Sequence, residues 1–195
     1  MTEFGKDRAW PFSEGSSATL LIITAVWLIS IGLWFTWQNI GTGLFLLLAT
    51  ALWLLVLYFF RDPNRAVVDE PGQVIGPGDG EVVEIRTELE PRYLNEEVIR
   101  ISLFLDVTDV HVQRTPLGGK VTLVDHQPGK YLQAFRPEAS DVNEYIAMCV
   151  ESAYGNVLVK QIAGILARRC VNLANPGDIL TTGQRFGHIK FSSRV

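Results

Sequence analysis

The chain has 195 residues, a formal net charge of −4 and 48% hydrophobic residues, and much of the apolar content is gathered in one block near the N-terminus. Mild acidity argues against a nucleic-acid-binding role, which needs a basic face. Two cysteines, Cys149 and Cys170, lie in apolar surroundings without metal-type spacing. They read as free buried thiols in a reducing compartment, and neither a disulfide framework nor a metal site is expected. The residues outside the apolar block suffice for one modest domain with a real core.

In chain order, residues 1–15 form a short tail. Ser16 to Trp37 is almost wholly apolar and uncharged, Gln38-Asn39-Ile40-Gly41-Thr42-Gly43 breaks the run with turn residues, and Leu44 to Phe60 is apolar again. Each run approaches the roughly 20 residues that cross a bilayer as a helix. Trp34 and Trp37 fall near the turn, where an interfacial aromatic belt sits. Lys6 and Arg8 precede the block, Arg61 and Arg65 follow it, and the turn has no positive charge. That asymmetry predicts a membrane hairpin over 16–60 with both flanks in the cytoplasm. A cleaved signal peptide fits poorly, because the apolar run is doubled and no small-residue cleavage pattern follows. Arg61 and Arg65 have two readings, partners for anionic lipid phosphates or ordinary flanking charge.

The remainder, 61–195, reads as β-rich. Gly76-Pro77-Gly78-Asp79-Gly80 is a dense turn signal, and Glu81 to Ile85 alternates like a half-buried strand. Glu88 to Glu97, polar and containing Pro91, reads as an exposed loop, and Val98 to Leu105 as a strong strand. Pro116 to Val121 is a turn into another strand, with Lys120 on the turn; Val121–Asp125, Gly129–Leu132, Ile146–Val150 and Asn156–Ile162 are further β runs. Gln161 to Arg169 fits a short helix or a strand. Many short strands between Gly and Pro turns predict an all-β sandwich or barrel. No Rossmann fingerprint, phosphate-binding loop or zinc spacing is present.

Two stretches carry candidate chemistry. Phe186-Gly187-His188-Ile189-Lys190-Phe191 alternates like a strand and delivers the pair Ser192-Ser193. A serine so held can attack its own preceding carbonyl when a base takes its proton and the oxyanion is stabilised. The second stretch is Asp109-Val110-His111, whose imidazole has a pKa suited to moving that proton. By itself a serine pair is more often a polar strand end, and a histidine beside an aspartate a satisfied strand terminus. Neither His126 nor His188 is assigned to chemistry.

Several motifs agree in order: Phe59-Phe60-Arg61-Asp62-Pro63-Asn64-Arg65, Gly76 to Val83, Ile101 to Leu105 with Asp109 to Pro116, Gln161 to Arg169, and Gly183 to Gly187 before the serines. Together the chain resembles the short, membrane-anchored form of the phosphatidylserine decarboxylase family from about Phe59 to Val195. The resemblance implies a barrel-like β-sandwich related to biotinyl and lipoyl carriers, behind the transmembrane helical hairpin. It implies a proenzyme that cuts itself between Ser192 and Ser193, leaving residue 193 as a covalent pyruvoyl group. That ketone would condense with the amine of phosphatidylserine and accept electrons as carbon dioxide leaves. Asp79 and His111 would belong to the processing and catalytic site, with Asp109 orienting the ring or holding its charge.

Longer family members carry a second histidine where this chain has Arg114, which is then either a ligand for the substrate phosphate or carboxylate or a surface charge. The family's Gly-Ser is Ser192-Ser193 here, and family members continue beyond the position of Val195 into one more strand, so the C-terminus reads as incomplete. The implied partners are phosphatidylserine and membrane lipid at the cytoplasmic face, with no metal, and a homo-oligomer is left open. The alternative is a non-catalytic carrier, adaptor or lipid-binding protein of the same fold, uncleaved because Ser192 replaces glycine; a lipoyl or biotinyl group on Lys120 would mark the carrier.

Overall fold

The structure is a computed structural model that describes residues 11–67, 70–133, 136, 138–164, 170–189 and 193–195. Ser192 and the arginine pair Arg168-Arg169 fall outside the described residues. The chain divides into two compact units, residues 10–63 and the part from 64 onward.

The first unit is a helical hairpin. Helix α1 (Ser17–Trp37, 21 residues) and helix α2 (Ile40–Phe59, 20 residues) are each long and apolar enough to cross a membrane. The turn between them is tighter than Gln38–Gly43. Gln38 ends α1 in the left-handed conformation, with φ 43°, and α2 already begins at Ile40. Asn39 is the reason. Its Oδ1 accepts the Thr42 N–H at 3.0 Å, and the Thr42 hydroxyl oxygen accepts the Asn39 N–H at 3.2 Å, a reciprocal cap that outweighs the two glycines. The helices are joined by Trp27 and Trp53, whose rings stack 4.4 Å apart. Each indole N–H donates to a threonine of the other helix, Trp27 to Thr50 at 3.0 Å and Trp53 to Thr24 at 3.1 Å. An indole buried in an apolar setting needs such a partner.

The second unit is built from strands β1 (Glu81–Glu90), β2 (Glu96–Leu105), β3 (Val112–Arg114), β4 (Gly119–Gln127), β5 (Tyr145–Ser152), β6 (Gly155–Ile162), β7 (Cys170–Asn172), β8 (Ile179–Leu180), β9 (Arg185–Ile189) and β10 (Ser193–Arg194), with one short helix α3 (Ala139–Val142). A seven-stranded sheet runs in the order β1-β2-β10-β6-β5-β4-β8, and a three-stranded sheet in the order β3-β9-β7. Every neighbouring pair is antiparallel. The core includes Leu105, Val121, Met148, Phe186, Ile189 and Val195. Leu105, Met148, Phe186 and Ile189 are completely buried, and each such side chain contributes about 1.5–3 kcal/mol.

Three sequence expectations change. The loop expected over Glu88–Glu97 is only 91–95, because charged residues lengthen both strands. Arg100 pairs across to Glu84 at 3.1 Å and Glu88 at 3.0 Å, and Glu90 is buried at the strand end. Glu90 Oε2 accepts the N–H groups of Arg92, Tyr93 and Leu94, while Oε1 meets Lys160 at 3.1 Å. Burial alone would raise the Glu90 pKa, but those donors outweigh it and hold the carboxylate below its ordinary range. Residues 129–132 make only an isolated bridge, Lys130 to Asn143, because Asn143 satisfies Leu132 with its side chain instead of a ladder. Lys120 is not on a turn; it lies inside β4, paired with Glu151 on one side and Ile179 on the other.

Candidate active site

The end of β2 is where the sequence-predicted residues gather. Ser193 pairs with Leu105, the last residue of β2. Just beyond, the Ile189 N–H donates to the His111 carbonyl at 3.1 Å. The segment between Ile189 and Ser193 is therefore tied at both ends to the segment between Leu105 and His111, which contains Asp109. Val195 closes the downstream side, exchanging both main-chain bonds with Leu103 at 2.8 and 2.9 Å. Of the run read as a strand over 186–191, residues 186–189 lie in β9 of the smaller sheet and 190–191 fall outside the described residues, while Ser193 begins β10 of the larger sheet.

The Gly76–Gly80 turn packs against the same end. Gly80 has φ +155°, and a Cβ there would stand 2.5 Å from the Phe104 carbonyl oxygen, so only glycine fits. A Cβ on Gly78 would touch Leu105, and Pro77 O accepts the Arg114 N–H at 2.8 Å. Asp79, between those two glycines, is thus placed beside the residues that pair with β10. Its carboxylate forms an ion pair with Arg65, both side chains being partly exposed. Arg65 accordingly has a protein partner, which neither sequence reading of it foresaw. Arg61 instead lies over the Tyr58 ring at 3.8 Å.

Asp109 supports His111 with its backbone. The Asp109 carboxylate accepts the Asp106 N–H at 2.8 Å and closes the loop, while its carbonyl oxygen lies 3.0 Å from His111 Nδ1. A carbonyl only accepts, so Nδ1 carries a proton and the neutral ring keeps its basic lone pair on Nε2. His111 is 3% exposed. Its carbonyl is held a second time, by Gln113 Nε2 at 2.9 Å. Gln113 in turn accepts from Gln161 Nε2, which also reaches Val171 O. This fully buried amide relay crosses from β3 to β6 and β7 and fixes the backbone under the histidine. Gly187 leaves room for it, since a Cβ there would stand 2.7 Å from that Gln161 nitrogen.

Arg114 is half-buried, and one guanidinium nitrogen donates to the Gly183 carbonyl at 3.1 Å. Arg194, which follows Ser193, was missed in the sequence. It is 3% exposed, donates to the Ser140 hydroxyl at 2.8 Å, and its pKa is lowered by burial and by Arg100 and Arg86 nearby, with Glu84 opposing. Its adjacency to the serine pair was the available signal. Gln113 and Gln161 had none, because a buried amide pair depends on strands far apart in sequence. His126 pairs with Glu144 at 3.1 Å on the surface, and His188 is buried between Val112 and Val171. Cys149 and Cys170 are free thiols. Among the described residues no group of three His, Cys, Asp or Glu is placed to hold a metal ion.

Comparison with known proteins gives this geometry its setting. A profile of the phosphatidylserine decarboxylase family matches residues 52–195. A phosphatidylserine decarboxylase proenzyme of Carboxydothermus hydrogenoformans is 43% identical over 147 residues, covering 75% of this chain and 69% of that protein. One of Burkholderia ambifaria is 38% identical over 192 residues, covering 96% of this chain and 81% of the relative. One of Nocardia farcinica is 48% identical over 141 residues, covering 70% and 60%. With a family profile over most of its length and a relative 38% identical over 96% of it, this chain belongs to the phosphatidylserine decarboxylase family.

Proposed function

We propose that this chain is a phosphatidylserine decarboxylase that makes its own pyruvoyl group by cutting itself between Ser192 and Ser193. One observation carries the reading: the segment holding the serine pair is anchored at both ends to the segment holding Asp109 and His111. The Ser193 hydroxyl oxygen attacks the Ser192 carbonyl carbon. The amide C–N bond breaks, an ester C–O bond forms, and the hydroxyl proton passes to the nitrogen by way of His111 Nε2. Removal of the α-proton of residue 193 then expels Ser192 as a carboxylate, and water replaces the nitrogen, which leaves as ammonia.

The residues present fit a pyruvoyl group at position 193. Arg194 and Val195 are buried and bonded to neighbouring strands, so a new chain start at 193 stays in register after the cut. The group supplies a ketone that takes up the substrate amine and accepts the electrons released as carbon dioxide departs. This chain's residues do the rest. His111 moves protons, the Asp109 carbonyl holds its tautomer, and the Arg65–Asp79 pair steadies the turn beside the site.

On the fold, we read the two sheets as a barrel-like sandwich of the biotinyl- and lipoyl-carrier kind. We place the hairpin across the cytoplasmic membrane with both flanks on the inner face. Lys120 inside a paired strand favours the enzyme over the carrier reading. The test is release of carbon dioxide from phosphatidylserine labelled in its serine carboxyl. Purified chain should release it, and Ser193→Ala should release none; equal release by that variant would overturn the proposal.

A further inference from the structure

The β1–β2 ribbon has two unlike faces. On one, Arg86 and Arg100 interlock with Glu84 and Glu88 through contacts of 2.6–3.4 Å, two positive charges closed against two negative. On the other, Ile85 stands opposite Ile101, and Leu89 and Ile99 flank Thr87. These aliphatic side chains are bare: Ile99 is 72% exposed, Ile85 66%, Leu89 64% and Ile101 54%. The pattern is amphipathic, yet among the described residues nothing covers its apolar half. A contiguous aliphatic patch left in water marks a docking surface.

Its position narrows the occupant. Ile99, Ile101, Leu103 and Leu105 share one face of β2, because strand side chains alternate. The row is exposed at Ile99 and buried at Leu105, the residue paired with Ser193. The bare stretch of β1, from Ile85 to Leu89, spans about 14 Å at ~3.4 Å per residue, comparable with the ~15 Å hydrocarbon depth of one leaflet. The bare part holds no Trp, Tyr or Arg, the side chains that anchor protein interfaces. The cover is mainly aliphatic, with Thr87 inside it and Glu97 at its outer edge opposite Leu89; running toward the site of a family named for a phospholipid, it suits acyl chains below a polar rim.

We propose that the bare face of the β1–β2 ribbon docks on the bilayer and takes the acyl chains of the lipid whose headgroup is processed at the end of β2. The inference rests on the phosphatidylserine reading above and adds the surface by which the sheet meets its substrate.

The test uses the full chain in vesicles of phosphatidylcholine with a minor fraction of phosphatidylserine. Ile99→Cys, and as a control Lys120→Cys on exposed β4, carry an environment-sensitive fluorophore. The native thiols react little, since Cys149 is buried and burial pushes the Cys170 thiol up to about 12. Emission from position 99 should shift to the blue and fall by about half or more with acyl-chain spin-labelled lipid, while position 120 stays open to aqueous iodide. Identical behaviour at both positions would overturn the proposal. So would a disulfide joining two copies through Ile99→Cys without acyl-chain quenching, which would assign the face to a second copy of the chain.

A second variant, Ile85→Ser with Ile99→Ser and Ile101→Ser, changes exposed side chains that folding tolerates. It should lower turnover of bilayer phosphatidylserine about tenfold more than turnover of a water-soluble short-chain form. Equal losses on both substrates would count against docking. Quenching does not depend on decarboxylation. Quenched label in an inactive chain would sink the enzymatic reading alone, and unquenched label in an active chain would sink docking alone.

Discussion

At the scale of single residues the account turns on His111 and Arg194. His111 Nδ1 faces the Asp109 carbonyl, so the proton transfer proposed for this ring falls to Nε2. His111→Ala should slow self-cleavage by about 10²–10⁴-fold, the usual worth of a positioned base. The half-time of conversion to two fragments on a gel measures it, and an unchanged half-time would remove the histidine from the mechanism. Arg194 is an anchor on the downstream side of the proposed cut, a buried guanidinium bonded to Ser140. Arg194→Ala strands that hydroxyl and should lower the unfolding free energy by about 1–3 kcal/mol. A denaturant titration of the uncut Ser193→Ala background reads that loss without interference from processing. The serine pair and the histidine were legible as candidates for chemistry, by residue type together with the family resemblance. The sequence hid Arg194, whose burial is set by α3 and β6 rather than by its own neighbours.

Elements decide whether those residues meet. The turn before β1 approaches β2 so closely at Gly80 that an added Cβ would strike the Phe104 carbonyl. Gly80→Ala should therefore move Asp79 and retard cleavage while circular dichroism stays that of a folded β protein; normal processing would show that the close approach is not needed. The β1–β2 ribbon carries its own pH dependence. Glu84 is held below its ordinary 4.5 chiefly by the Arg100 hydrogen bond, and Glu90 is also held low. Carboxylates with depressed pKa contribute stability that is fully present above 4.5 and fades as pH falls below it toward their folded values. Melting temperature of the uncut background should thus drop between pH 5 and 3 by more in the parent than in Arg100→Met, which lacks the pairing. Equal drops would contradict the ribbon ledger. Strands β2, β5 and β6 were legible because apolar alternation follows backbone period. The end of β1 was not, since Glu88 and Glu90 look like loop residues until Arg100 and Lys160 are seen beside them.

For the molecule as a whole, the apolar block and the β-rich remainder differ in composition, and the chain divides into compact units at residues 10–63 and from 64 onward. The assembly of the site was less legible. Its key fact is that β9 lies in the small sheet and β10 in the large one, and no local pattern encodes that exchange. The pairing of β10 between β2 and β6 sets Ser193 opposite Leu105, where the segment leading to His111 begins. The most direct measurement is the intact mass of the purified full chain and of its Ser193→Ala variant. The account predicts two fragments from the parent, the downstream one beginning with a pyruvoyl-blocked residue 193, and a single uncut, inactive chain from the variant. A parent that decarboxylates phosphatidylserine while remaining one uncut polypeptide would contradict it.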